Sequence, residues 1–204
     1  MNQAIFGAVV GIVGVVVGSF LALLREIWSD SRMRRRHARY LAIRVVCILD
    51  KYVESCAEVV SDDGLCDGQR DEQGCLQAQV PTPSPPAFPE GLDWKSIDHA
   101  LMYRLLSMPN EAEAADRKLD HVWQYVAGPP DFDEFFEERQ YKYSALGLAA
   151  FALTQEMRTK YDIPPQTVDE WDPIERLAEA KKQIEDTRSI RRRRLAASPL
   201  LTGL

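Results

Sequence analysis

Positions 4 to 24 carry no charge and no proline, and this almost wholly apolar run of 21 residues is the strongest pattern in the chain. At about 1.5 Å of rise per residue it predicts a helix roughly 31 Å long, the thickness of a bilayer's hydrocarbon core. No Lys or Arg precedes the run and no A-x-A-like site follows it, so it reads as an uncleaved transmembrane anchor and not as a signal peptide. Neither proline nor glycine occurs from Ser19 to Asp63, which predicts that the helix continues as one rod. In its second half Leu41, Val45, Ile48, Tyr52, Cys56 and Val59 recur at spacings of three and four, the stripe of a helix with one face on a core. The same stripe takes Cys47 and Cys56 as half-buried small apolar residues.

Glycine recurs inside the apolar run at Gly7, Gly11, Gly14 and Gly18. In water glycine weakens a helix, but lipid offers the backbone no other hydrogen-bond partner, so the helix is enforced there. The G-x-x-x-G spacing, repeated one heptad on, leaves a groove free of side chains and predicts a homo-oligomer through the transmembrane helix. The flanks set its direction: MNQ has no basic side chain, whereas Arg25, Arg32, Arg34, Arg35, Arg36 and Arg39 follow the run. The positive-inside rule then puts the N-terminus outside and the C-terminal domain in the cytoplasm of a single-pass, inner-membrane protein. Trp28 is placed as an interfacial anchor, and the arginines beyond it face anionic headgroups at roughly 1 kcal/mol each. Their juxtamembrane position favours the lipid bilayer over nucleic acid as their partner.

Past Gly64 the periodicity stops, and residues 61–92 are rich in Gly, Asp, Gln, Ser and Pro, with VPTPSPPAFPEG reading as a linker or loosely pinned loop. PTPSPP has the outline of an SH3-type ligand, although such runs are more often spacers. Helical signals return at Asp93, which can cap a helix carrying Trp94, Ile97, Leu101, Leu105 and Met108 until Pro109 stops it. Asn110 with Glu113 then resembles a capping box for a helix that Gly128 ends. Asp131 can cap a third, with Phe135, Tyr143, Leu146, Ala149, Ala150 and Leu153 inward, before Pro164. Asp172-Pro173 opens a last helix with a thin apolar stripe at Ile174, Leu177, Ala178 and Ile184. No segment alternates with period two. The expected fold is all-α: an anchor over 1–24, a basic and amphipathic helix over 25–60, the loop over 61–92, an antiparallel helical bundle over 93–194, and a tail over 195–204.

Charge and chemistry change this picture little. A formal net charge of -6 in 204 residues argues against a general nucleic-acid binder, although Arg191 to Arg194 form a second basic cluster. The four cysteines, Cys47, Cys56, Cys66 and Cys75, stand nine, ten and nine residues apart, spacings that match no zinc knuckle. A disulfide between Cys66 and Cys75 is sterically possible and disfavoured in a reducing cytosol. His37, His99 and His121 fall in separate segments. Asp131, Asp133, Glu134, Glu137 and Glu138 gather in DFDEFFEE, but no E-x-x-H accompanies them and acidic residues also suit a helix's first turn. Nucleotide-binding, nucleophile-elbow and zincin motifs are absent, so no cofactor is indicated. The leading expectation is a membrane-anchored helical domain that binds an unidentified cytosolic protein. The alternatives are a tethered enzyme or metal-dependent hydrolase using the 131–138 carboxylates, and a small membrane-perturbing effector.

Overall fold

The computed structural model describes the backbone of residues 2–166 and 172–197, with side chains over 28–166 and 172–196 and at Phe20, Arg25 and Glu26. It contains four α-helices: α1 (Asn2–Ser61), α2 (His99–Tyr125), α3 (Asp133–Tyr161) and α4 (Pro173–Ala197). No strand occurs among the described residues, and a short 3-10 turn covers Trp94–Ser96. The rod expected from the absence of Pro and Gly is present as a single 60-residue helix. Among the described residues no helix is long and apolar enough to cross a membrane. The anchor expected at 4–24, with its association face at Gly7, Gly11, Gly14 and Gly18, falls where side chains other than Phe20 lie outside the described residues. The described residues lend that span no support.

The bundle is built around α3, which packs against α1, α2 and α4. Contacts fix the directions: Arg158 meets Asp50 and Arg139 meets Asp62 on α1 and just beyond it, while Arg104 and Tyr143 meet Glu156 and Asp116 across α2 and α3. Rising numbers on one helix meet falling numbers on the other, so α3 runs antiparallel to both α1 and α2. α1 enters this core at Ala38 and buries far more than a narrow stripe. Leu41, Val45, Tyr52, Cys56 and Val59 are buried as expected, but so are Ala42, Val46, Leu49, Val53, Ala57 and Val60. Contact with two helices, α3 and α4, widens the apolar face. Ile48 is left half-buried, and Cys47, expected to be half-buried, points to solvent.

Helix boundaries shift where local signals lose to packing. Asp93 does not cap α2: its carboxylate instead lies 3.3 Å from His37, and the cap is Asp98, which accepts from the N–H groups of Ala100 and Leu101. Pro109 does not stop the helix and Asn110 does not restart one, since α2 runs through both. An interior proline forfeits a backbone hydrogen bond, and here Leu105, Met108 and Ala112, buried on either side of it, hold one continuous face on the core. α2 ends at Tyr125, before Gly128, with Val126 and Ala127 donating to the Val122 carbonyl. Asp131 is not a cap but the partner of Arg70, and α3 starts after Phe132, a residue in the left-handed region. Asp172 does cap α4, accepting from Ile174 and Glu175. On α3, Phe135 is only half-buried and Ala149 is exposed, while Arg139, Ser144, Gly147, Thr154 and Arg158 are buried.

Two buried arginines tie the parts together. Arg158 makes a bidentate pair with Asp50 at 3.0 and 2.6 Å and donates to the Pro164 carbonyl. Arg139 and Asp62, both side chains 1% exposed, pair at 2.9 Å, and Arg139 also donates to the Val59 and Val80 carbonyls. Asp62 accepts from the N–H groups of Gly64, Gln79 and Val80 as well. The proline-rich loop is thereby held on the bundle, with Pro86 buried and Pro83 and Pro85 half-buried, which removes the faces an SH3-type groove would need.

Burial alone would raise the Asp62 carboxyl, but the Val80 and Gly64 N–H groups, Arg139 and the Gln79 N–H outweigh it and hold it below its ordinary value. A carboxylate lowered on folding adds stability above its unfolded value, about 4, and loses it as pH falls through the lower folded value. Denaturation of the full chain in detergent is therefore expected to show a midpoint that drops below about pH 4. Asp62→Asn should be less stable than wild type at pH near 7 and approach it in acid; parallel curves would assign the acid sensitivity to other groups.

Candidate functional site: the basic collar of α1

Between the apolar run and the bundle, the side chains described from Arg25 to His37 are all exposed, because α1 runs on beyond the core that begins at Ala38. Helical spacing spreads Arg32, Arg34, Arg35 and Arg36 around this stretch, forming a collar. Trp28 is 68% exposed and lies under the Arg32 guanidinium, 5.5 Å from the ring centroid. A large amphipathic ring left to solvent beside a cation suits an interface with one apolar and one charged side. Met33 and Tyr40 add exposed apolar surface, and Arg44 lies over the Tyr40 ring. Arg39 differs from the rest in donating to the Asp162 carbonyl at 2.9 Å, which fixes the collar against the C-terminal end of α3. His37 is held toward Asp93, so the collar's lower edge also touches the turn that precedes α2.

The acidic stretch at the start of α3 has a different role from a metal site. Arg188 donates from Nε to Glu137 at 2.8 Å and from Nη2 to Glu138 at 2.7 Å, and Arg191 donates to the other Glu137 oxygen at 3.0 Å. The Arg188 guanidinium also stacks 4.4 Å over the Tyr141 ring. Burial pushes the Glu137 carboxyl up, and the two arginines more than reverse that, holding it below its ordinary value. Asp131 is turned toward Arg70, and Asp133 and Glu134 are exposed. Among the described residues no group of three His, Cys, Asp or Glu side chains is disposed to hold a metal ion.

The cysteines do not converge either. Cys47 and Cys56 are nine residues apart on one helix, about 180° around it at 100° per residue, so one faces solvent and the other the core. Burial pushes the Cys56 thiol up to about 12, and this makes it an inert core residue. An open groove of about 300 Å³ lies between α2 and α3 over Ala114, Ala145 and Ala149, with Glu111 and Lys142 at its rim. It contains no converging set of polar groups. The buried Arg139 and Arg158 pairs were not legible as sites from sequence, since nothing marks an arginine in a charged helix as inward-facing until its carboxylate is located. The chain matches no protein-family model, and no curated protein or solved structure matches it.

Proposed function

We propose that this chain is a single-pass membrane protein whose helical domain, on the cytoplasmic side of an inner membrane, binds another protein. The observation that carries the reading is the unbroken helix α1 from Asn2 to Ser61, which joins the apolar sequence 4–24 rigidly to the bundle through an exposed collar of Trp28, Arg32, Arg34, Arg35 and Arg36. Tryptophan with clustered arginine at the end of an apolar run suits a headgroup layer on the side that retains positive charge. Copies of the chain would meet along Gly7, Gly11, Gly14 and Gly18, where close backbone approach substitutes for the hydrophobic effect that lipid cannot supply. Exposed Tyr103 and Leu106 on α2 give the bundle apolar surface for a partner.

The test is fractionation of cells making the full chain, combined with a reporter fused after Leu204 that works only in the cytoplasm. The chain is expected in the membrane pellet after alkaline carbonate washing, with the reporter active. Release into the wash would overturn the anchor, and an inactive reporter on a pelleted chain would overturn the orientation.

A further inference from the structure

α4 is longer than the surface it packs on. Leu177 sits against Gly147 and Arg188 against Glu137 and Glu138, so numbers rising along α4 pair with numbers falling along α3. That register brings α4 level with the first residue of α3, Asp133, at about residue 192, and the residues up to Ala197 run roughly 8 Å past it. The face of α4 that meets the core carries Leu177, Ala180 and Ile184, all buried, then Arg188 and Arg191 on their carboxylates. The next residue on that face is Leu195, and it is 62% exposed. Arg192, Arg193 and Arg194 surround it, exposed and with no ion pair among the described residues.

The chain itself shows what this pattern accepts. One turn back, Arg188 and Arg191 on the same helix are taken by the carboxylates of Glu137 and Glu138 in DFDEFFEE. Past the end of α3 nothing among the described residues supplies the equivalent. The collar's lipid surface cannot supply it, because α3, about 42 Å long at 1.5 Å per residue, separates Arg39 at one end from the α4 tip at the other. A nucleic-acid backbone is also a poor match, since exposed Glu179, Glu185 and Asp186 lie along the same helix.

We propose that the overshooting end of α4, Arg192 to Leu195, docks a short acidic and apolar segment of a partner protein, with Leu195 covered by its apolar side chains and Arg192, Arg193 and Arg194 paired with its carboxylates. This rests on the reading of the domain as a protein-binding module and names the chemistry of the partner. The helix dipole also favours arginine at a C-terminus, but it does not account for an exposed leucine continuing the core stripe.

The test uses the full chain in detergent micelles and a labelled peptide of the chain's own α3 start, Asp131 to Glu138, as the probe. Binding is expected, weakened about tenfold by Arg192→Glu with Arg193→Glu and Arg194→Glu, and weakened by Leu195→Ser at unchanged charge. Circular dichroism should be unchanged, as these side chains are exposed. Equal binding of a peptide of the same composition in scrambled order, tighter binding of single-stranded DNA, or no effect of the four substitutions would each overturn the proposal. None of these results bears on membrane extraction or reporter topology, so the anchored reading is judged separately.

Discussion

Arg139→Met is expected to lower the stability of the full chain by about 3–5 kcal/mol, the cost typical of breaking a buried ion pair from one side. The substitution keeps most of the side-chain volume, so what is lost is the charge and its hydrogen bonds. Asp62 would remain buried with a negative charge, retaining three backbone N–H donors but no guanidinium. The carbonyls of Val59 and Val80 would lose their donor as well. Denaturant titration of wild type and variant, followed by circular dichroism in detergent, reads the difference. Because Asp62 and Arg139 join the loop to the ends of α1 and α3, limited proteolysis should show the loop 64–92 cut faster in the variant. Changing both partners together, Asp62→Asn with Arg139→Met, should recover part of the loss, since the uncompensated charge is then gone. A loss below 1 kcal/mol in Arg139→Met would mean that water reaches this pair and that the loop is held by its prolines instead.

The sequence made the helices legible and their edges less so. Leu41 to Val59 announced the buried face of α1 because three-four spacing of apolar residues is a local consequence of helical geometry. Asp172-Pro173 announced the start of α4 for the same kind of reason, a cap whose acceptor lies within a few residues of its donors. Asp93, Pro109 and Asp131 misled because their alternatives are decided at long range: Asp93 faces His37, Asp131 faces Arg70, and Pro109 is carried within a face that the core holds on both sides. The candidate site divides in the same way. Trp28 and its arginines stood out by their place after the apolar run, and the structure shows their side chains exposed. The carboxylates Glu137 and Glu138 were readable only as a cluster, since their partners Arg188 and Arg191 lie about fifty positions away and belonged to an apparently separate basic run.

Gly147 is the second position where a small change is expected to have a large effect, and its sequence context, LGLAAFAL, conceals this by making the glycine look like a weak point in a helix. A Cβ there would lie 2.7 Å from Leu177 Cδ1 and 3.0 Å from Cys56 Cβ, so α1, α3 and α4 meet at this one residue. Gly147→Ala should be mildly destabilising: helix propensity gains up to about 1 kcal/mol, but the methyl of the fully buried Leu177 must shift out of a 2.7 Å contact and the Cys56 Cβ must give by a few tenths of an ångström. Gly147→Leu has no such compensation. Its branched side chain occupies the space of Leu177, which is fully buried, and overpacking of this kind costs about 1–3 kcal/mol. α4 is the element free to yield, because it is held by a thin stripe and by the partly exposed Arg176, Arg188 and Arg191, whereas α1 and α3 share the buried Asp50 and Asp62 pairs. Hydrogen exchange on Gly147→Leu should therefore show faster amide exchange over residues 173–191 of α4, with α1 from Ala38 to Val60 and the body of α3 still protected. Uniform loss of protection would place α4 within the same cooperative unit as the other helices, and unchanged exchange in all of them would mean that the three helices do not approach at Gly147 as closely as these distances require.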